Sequence, residues 1–257
     1  MKSFTVRALE EFPLIKPGDD VARIIVDIAG RNGLAIEDGD VIVIAQKIVS
    51  KAEDRVIKLE HVVPSVRAKD LAKNTGKDPR FVELVLEETR RVIKVSPDVL
   101  MVEDRRGLIC INAGIDKSNV EGKSSFALLP TDPNESAEKC RLALRRLTGK
   151  SVAVVVCDTY SRPFRRGQVN YAIGVAGLKL FRDYRGKRDL FGQVLKVKNV
   201  AVADEIAAAA ELLMGQASEA RPVIVLKGLD GMVDFSEECD FKEMFIEAEE
   251  DLFKGVL

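Results

Sequence analysis

Apolar positions in this chain switch repeatedly between two spacings. After Asp19, the residues Val21, Ile24, Ile25 and Ile28 recur at helical intervals, and Gly33 closes that segment. Asp38-Gly39 turns into an unbroken apolar run, Val41 to Ile44, read as a buried strand that feeds Ala45 to Lys51. A helix is expected from about Asp78 to Val92, with Phe81, Leu84 and Val85 inward. The strand Gly107 to Ile111 leads into Asn112-Ala113-Gly114-Ile115-Asp116. Ser136 can cap a helix whose Cys140, Leu144 and Leu147 share a face and which Gly149 stops. The run Val152 to Val156 reads as a second buried strand, ending at Asp158. From Ala201 to Met214, Val202, Ile206, Ala209 and Leu213 keep helical spacing, and Gly215 ends the pattern. A strand over Val223 to Leu226 and a last amphipathic helix from about Phe241 to Phe253 complete the pattern.

Helices and strands are interspersed without a regular βαβ cycle. There is no internal repeat and no low-complexity linker. The expected fold class is mixed α/β of the α+β kind, with mixed sheets flanked by helices. No domain boundary is visible in composition, so residues 1–257 are read as one unit.

Composition narrows the chemistry. The 257 residues are 46% hydrophobic and 32% charged, as in a globular protein with a sizeable core. No run of 18 apolar residues occurs and the first residues lack an apolar signal core, so no membrane association and a cytoplasmic location are expected. The net charge of −1 argues against a general nucleic-acid binder. Its distribution is uneven, however. Ten Lys/Arg against three Asp/Glu lie between Asp158 and Lys198, and ten Asp/Glu against one Lys between Leu229 and Asp251. Such a division suits a localised anion site. Cys110, Cys140, Cys157 and Cys239 form no CxxC pair, and His61 is the sole histidine. Zinc spacing, redox spacing and a Ser-His-Asp hydrolase are therefore disfavoured. No P-loop, dinucleotide fingerprint or kinase signature is present.

The most informative segment is Cys157-Asp158-Thr159-Tyr160-Ser161-Arg162-Pro163-Phe164-Arg165-Arg166-Gly167-Gln168. A carboxylate and a hydroxyl at the mouth of a strand suit a hard divalent cation. The arginines that follow suit bidentate capture of phosphate or carboxylate. Asp116 likewise follows an apolar strand. If the two strands are neighbours, both carboxylates meet at one sheet edge, where ligands often bind. The competing explanations are ordinary turn chemistry and a solvated basic loop. Lys47 and Lys51, four apart after a strand, could reach phosphates as point charges.

Six ordered blocks bring these residues together. They are Ile48-Val49-Ser50-Lys51-Ala52-Glu53; Asn112 to Asp116 with Ser118-Asn119; Asp158-Thr159 with Arg162-Pro163-Phe164-Arg165 and Gly167; Ala172-Ile173-Gly174 with Ala176-Gly177; Asp183 to Gly186; and Ala203-Asp204-Glu205-Ile206-Ala207 through Met214-Gly215. Together they closely resemble the coenzyme F420-0:γ-glutamyl ligase family, from about Phe12 to Gly228. The resemblance implies a GTP-dependent ligase that joins L-glutamate to F420-0. It also implies an intertwined homodimer of two interleaved subdomains, two divalent cations (Mg²⁺ or Mn²⁺) and K⁺. Asp116 and Asp158 match the first metal's ligands, and Thr159 and Gln216 match positions at the second. Phe12, Pro13, Leu14, Ile15, Gln46, Lys47, Lys51, Asn119, Met214, Gly215, Gln216 and Ala217 match the nucleotide's surroundings. Asp116, Asp158, Arg162 and Arg165 are the expected catalytic residues. Three departures stand out: Ser161 and Asp54 where the family usually has Gly, and Gln216 where some relatives have Glu. A related ligase for another acidic small molecule, or a non-catalytic nucleotide-binding protein, are the rival readings.

Overall fold

The computed structural model describes residues 3–162, 164–229, 235–236, 239–246 and 249–251. In chain order the elements are β1 (Thr5–Ala8), α1 (Val21–Arg31), β2 (Val41–Ala45), α2 (Gln46–Ala52), β3 (Val56–Lys58), α3 (Val66–Thr75), α4 (Pro79–Glu87), β4 (Thr89–Ser96), β5 (Val99–Asp104), β6 (Ile109–Ile111), β7 (Ser125–Ala127), α5 (Pro133–Thr148), β8 (Ala153–Ser161), β9 (Gln168–Ala176), β10 (Phe181–Asp183), β11 (Asn199–Ala201), α6 (Val202–Met214) and β12 (Val223–Lys227). This is a mixed α+β architecture. The chain divides into two compact units, and helix α2 carries it from the first to the second. Residues 1–15, 19–49 and 132–244 form the first unit, and 16–18, 50–131 and 245–257 the second.

The first unit is built on a five-stranded sheet of order β1-β12-β2-β8-β9. β2 and β8 run parallel, and every other pairing is antiparallel. β2 and β8 lie in the interior, which is why they read as unbroken apolar runs. Val41, Val43, Ala153, Val155 and Cys157 point to one face and pack with Val202, Ala203, Ile206, Ala207 and Ala210 of α6. Alternate residues such as Ile42 and Val154 point the other way, and α5 lies against β8 and β9 with α1 against α5. At Gly174 a Cβ would stand 2.2 Å from the carbonyl oxygen of Pro133, so the start of α5 presses on β9 where only glycine fits. Asn134 Oδ1 accepts from the Val175 N–H at 3.0 Å in the same place. Beyond β9, β10 and β11 pair as an arm whose tip exposes Leu190 and Phe191.

The second unit has an antiparallel sheet β4-β5-β6 and the pair β3-β7, with α3 and α4 contributing to one apolar core. An ionic cluster braces it. Arg55 and Arg106 both reach Glu88, at 2.8 and 3.3 Å, and Arg106 also meets the fully buried Asp104 at 2.8 Å.

Several expectations require correction. The expected Asp78–Val92 helix stops at Glu87, because β-branched Thr89, Val92 and Ile93 enter β4 instead. Asp132, not Ser136, caps α5. Its carboxylate accepts from Glu135 N–H at 2.9 Å and Pro133 fits the first turn, leaving Ser136 inside the helix. The helical pattern after Asp19 is α1, which starts at Val21 with Asp20 as its cap. Over the expected Phe241–Phe253 helix, the described residues show a 3-10 turn at Phe241–Met244, and residues 247–248 and 252–253 lie outside the described residues. β8 continues through Ser161, so Asp158 and Thr159 sit within the strand rather than at its mouth. β6 and β8 are not neighbours. β6 pairs with β5, whereas β8 lies between β2 and β9. Among the described residues, no helix is long and apolar enough to cross a membrane.

Candidate active site

Consecutive residues of a strand face opposite sides, and this separates Asp158 from Thr159. Thr159 shares the α6 side with Cys157. Asp158 lies opposite Tyr171 in the ladder, and Tyr171 meets Tyr160 edge-on at 4.5 Å between ring centroids. On the Thr159 side a chain of polar contacts forms. Thr159 Oγ1 donates to Asn170 Oδ1 at 2.9 Å, across the β8–β9 ladder. Asn170 is buried, and its Nδ2 faces Cys157 Sγ at 3.5 Å and Met214 Sδ at 3.8 Å. Gln216 Nε2 lies 2.8 Å from Thr159 Oγ1 and 2.7 Å from Glu211 Oε1. Gly215, with φ 70° and ψ 174°, turns the chain at the end of α6 and brings Gln216 back over the strand.

Glu211 is the residue that sequence reasoning missed. Burial holds its carboxyl above the ordinary range and nearby Glu219 adds to the rise, while the Gln216 hydrogen bond and the Lys47 charge oppose it. Its Oε2 is buried with no hydrogen-bond partner among the described residues. A signal was available: an acid in the last turn of a helix works against the helix dipole, and no basic residue accompanies it there. The thiol of Cys157 is pushed far up by burial, with Asp158 and Glu211 adding to the shift and the Asn170 hydrogen bond opposing it, an environment that favours the neutral thiol.

Other expected residues of the first unit surround the same sheet. Arg162 follows β8 and is half-buried, its Nε enclosed without a hydrogen-bond partner among the described residues. Arg165 is exposed in the turn before β9. Gln46 opens α2 and is buried, and Lys47 follows it half-buried. Phe12 and Ile15 are anchored in the interior, leaving Pro13 exposed and Leu14 projecting at 84% exposure. Met214 is buried against Asn170, and Ala217 N–H donates to Glu219 Oε2 at 2.8 Å.

The second unit presents Asp116 differently. Asn112, Ala113 and Gly114 all adopt left-handed backbone, at φ 54°, 54° and 69°. Asp116 then bridges Ala127 by two backbone hydrogen bonds, of 3.0 and 2.8 Å. Its carboxylate accepts from Ser118 N–H at 2.8 Å and Ser118 Oγ at 2.9 Å. Asn119, also at positive φ, accepts at its backbone oxygen from Lys51 Nζ at 2.7 Å. The structure thus joins Thr159, Asn170, Gln216 and Glu211 in one network, and Asp116, Ser118, Asn119 and Lys51 in another.

Thr159, Gln216 and Glu211 in the first network and Asp116 in the second each carry side-chain oxygens, the donor type that suits a hard divalent cation. Among the described residues, no group of three or more His, Cys, Asp and Glu side chains gathers to hold a metal ion. A cation would therefore depend on mixed carboxylate, hydroxyl and amide donors. A shallow depression on α5 lined by Lys139, Leu142, Arg145 and Arg146 includes none of these residues.

These residues lie on a chain with close relatives. It is 48% identical over 220 residues to the coenzyme F420:L-glutamate ligase of Methanothermobacter thermautotrophicus, covering 86% of this chain and 87% of that one. It is 46% identical over 224 residues to the protein of the same name from Methanopyrus kandleri, with 86% of each covered. The Archaeoglobus fulgidus protein of that name is 44% identical over 249 residues, 97% of this chain and 96% of the other. The model of the F420-0:gamma-glutamyl ligase family matches residues 10–228, a span that holds both polar networks and the whole five-stranded sheet apart from β1, and the chain belongs to that family.

Proposed function

We propose that this protein is a GTP-dependent ligase that adds L-glutamate to coenzyme F420-0, and then a second glutamate through its γ-carboxyl. The observation that carries the reading is the near-complete match to relatives with this ligase name, on a chain that retains Asp116, Asp158, Thr159 and the Arg162–Arg166 stretch.

A carboxylate is a poor electrophile and must be activated before an amine attacks it. In the proposed sequence the lactyl carboxylate oxygen of F420-0 takes the γ-phosphoryl group of GTP, releasing GDP. The glutamate amine then attacks the acyl phosphate, loses a proton and expels inorganic phosphate. This route needs no protein nucleophile, in keeping with the suppressed Cys157 thiol. Divalent cations, when bound, neutralise charge on the nucleotide phosphates. Asp116 and Asp158 are assigned as carboxylate ligands, and Thr159 and Gln216 as neutral oxygen donors. Arg162 and Arg165 hold the transferred phosphoryl oxygens through their planar forks. Lys47, Lys51 and Asn119, with Phe12 to Ile15 and Met214 to Ala217, line the nucleotide. K⁺ and a homodimer complete the proposed assembly.

The test uses F420-0 labelled with ¹⁸O in its lactyl carboxylate, with GTP, L-glutamate and Mn²⁺, followed by mass spectrometry. The expected products are glutamylated F420, GDP, and phosphate carrying one labelled oxygen. Unlabelled phosphate, or GMP with pyrophosphate, overturns the acyl-phosphate route. No glutamylated product at all overturns the substrate assignment.

A further inference from the structure

A glutamine amide carries two N–H hydrogens and one carbonyl oxygen. At Gln216 both hydrogens are spent, one on Thr159 Oγ1 at 2.8 Å and one on Glu211 Oε1 at 2.7 Å. Thr159 has no hydrogen to return, because its own goes to Asn170 Oδ1 at 2.9 Å. Turned end for end, the Gln216 amide would set its oxygen against a carboxylate and against a hydroxyl whose hydrogen is committed. The network therefore fixes one orientation, with Oε1 directed away from both partners.

We propose that Glu211 is a positioning residue for the cation site at Thr159 and Gln216. It locks the amide so that an oxygen is offered to the ion, and it supplies the negative charge that a neutral glutamine lacks. The inference rests on the reading of Thr159 and Gln216 as cation donors. Two further observations support it. Glu211 Oε2 is buried and unpartnered among the described residues, an arrangement that costs free energy unless positive charge lies close by. Glu211 also accounts for glutamine at position 216. A glutamate there would bring two carboxylates to within hydrogen-bond distance, and one would have to take up a proton.

The test compares wild type with Glu211→Gln and with the exchanged pair Glu211→Gln/Gln216→Glu. Mn²⁺ binding is followed by paramagnetic resonance in the presence of a non-hydrolysable GTP analogue. The ¹⁵N-bound side-chain amide protons of Gln216 are followed by NMR in metal-free protein. In wild type the two amide protons should be slow to exchange. Glu211→Gln keeps shape and one oxygen acceptor but loses charge and can present either end of its amide, so it should weaken that protection. It should also weaken binding at one Mn²⁺ site about 10- to 100-fold, the range seen for groups that orient metal ligands. The half-saturating Mn²⁺ concentration should rise in step, with the rate at saturating Mn²⁺ within a few-fold of wild type. The exchanged pair, again one acid and one amide, should recover most of the affinity. Unchanged amide signals and Mn²⁺ affinity in Glu211→Gln overturn the inference while leaving the ligase reading intact. An exchanged pair no better than the single variant overturns it as well. Wild type that binds no Mn²⁺ with nucleotide overturns the cation assignment itself. If Glu211→Gln does not fold, the wild-type spectrum decides, and freely exchanging Gln216 amide protons refute the lock.

Discussion

Thr159 and Asp116 are both held in fixed positions, but by opposite means. Thr159 sits in a regular antiparallel ladder, and side chains that reach it from β9 and the end of α6 orient it. Asp116 takes its place from the backbone. Three consecutive left-handed residues precede it, and Ser118 folds back onto its carboxylate. In the first group precision comes from matching donors to acceptors, so a single lost hydroxyl or amide disturbs it. In the second it comes from a conformation that L-residues resist, at roughly 1–2 kcal/mol for a non-glycine residue. The ladder spends little on strain and depends on polar pairing. The turn makes the reverse trade.

The largest expected effect comes from the two carboxylates assigned to the metal, one beside each region. Asp158→Asn and Asp116→Asn should each lower the ligation rate by about 100-fold or more, as loss of a preorganised charge does. Circular dichroism should stay unchanged, because asparagine keeps an oxygen acceptor in each place. Wild-type rates at limiting Mn²⁺ would remove both carboxylates from the proposed chemistry. The next effect separates the regions. Gly114→Ala forces a side chain at φ 69° and puts a Cβ 2.6 Å from Leu129 Cδ1. It should cost about 2–4 kcal/mol in urea unfolding, from strain and overpacking together. Thr159→Val keeps the shape and strands Asn170 Oδ1, for about 1–3 kcal/mol, whereas Thr159→Ser should restore most of it. Equal losses from Thr159→Val and Thr159→Ser would mean that the ladder is held by packing and not by pairing.

The smallest effect is one of pH. Burial raises the Asp204 carboxyl above its ordinary value, against the lowering by the Ala172 N–H. The folded state then binds a proton more tightly than the unfolded state, so this group's contribution to stability falls as pH rises above its unfolded value near 3.8. Asp204→Asn should flatten the descent of stability between that pH and neutrality. An identical slope in the variant would show that the burial is not felt.

How much of this could be read from the chain depends on how far apart the partners lie. α6 was legible because its buried residues keep one period over 13 positions. β2 and the core of β8 were legible as apolar runs. β9 was not, since Gln168, Asn170 and Gly174 interrupt its pattern. Its register also slips beside Val156 and Cys157, so the meeting of Thr159 with Asn170 is invisible to any count along the chain. Asp158 looked like a strand end because polar residues follow the valines. In fact the hairpin continues through Tyr160 and Ser161. The carboxylates were found as residue types. The opposite faces of Asp158 and Thr159, and the part played by Glu211, arise only from pleating and from the turn at Gly215.

Gly174 has a consequence for anyone recombining this chain with a relative. The missing side chain there is fitted to the Pro133 carbonyl, and at Gly177 a Cβ would stand 2.8 Å from Arg141 Cδ and 3.0 Å from the Val152 oxygen. α5, β8 and β9 are thus matched to one another to within a fraction of an ångström and pass between chimeras only together. A crossover placed between Pro133 and Gly177 pairs one parent's helix with another's glycines. A crossover before Asp132 or after Leu178 keeps the block intact. Block Ala172 to Gly177 is in this sense a joint between inherited parts.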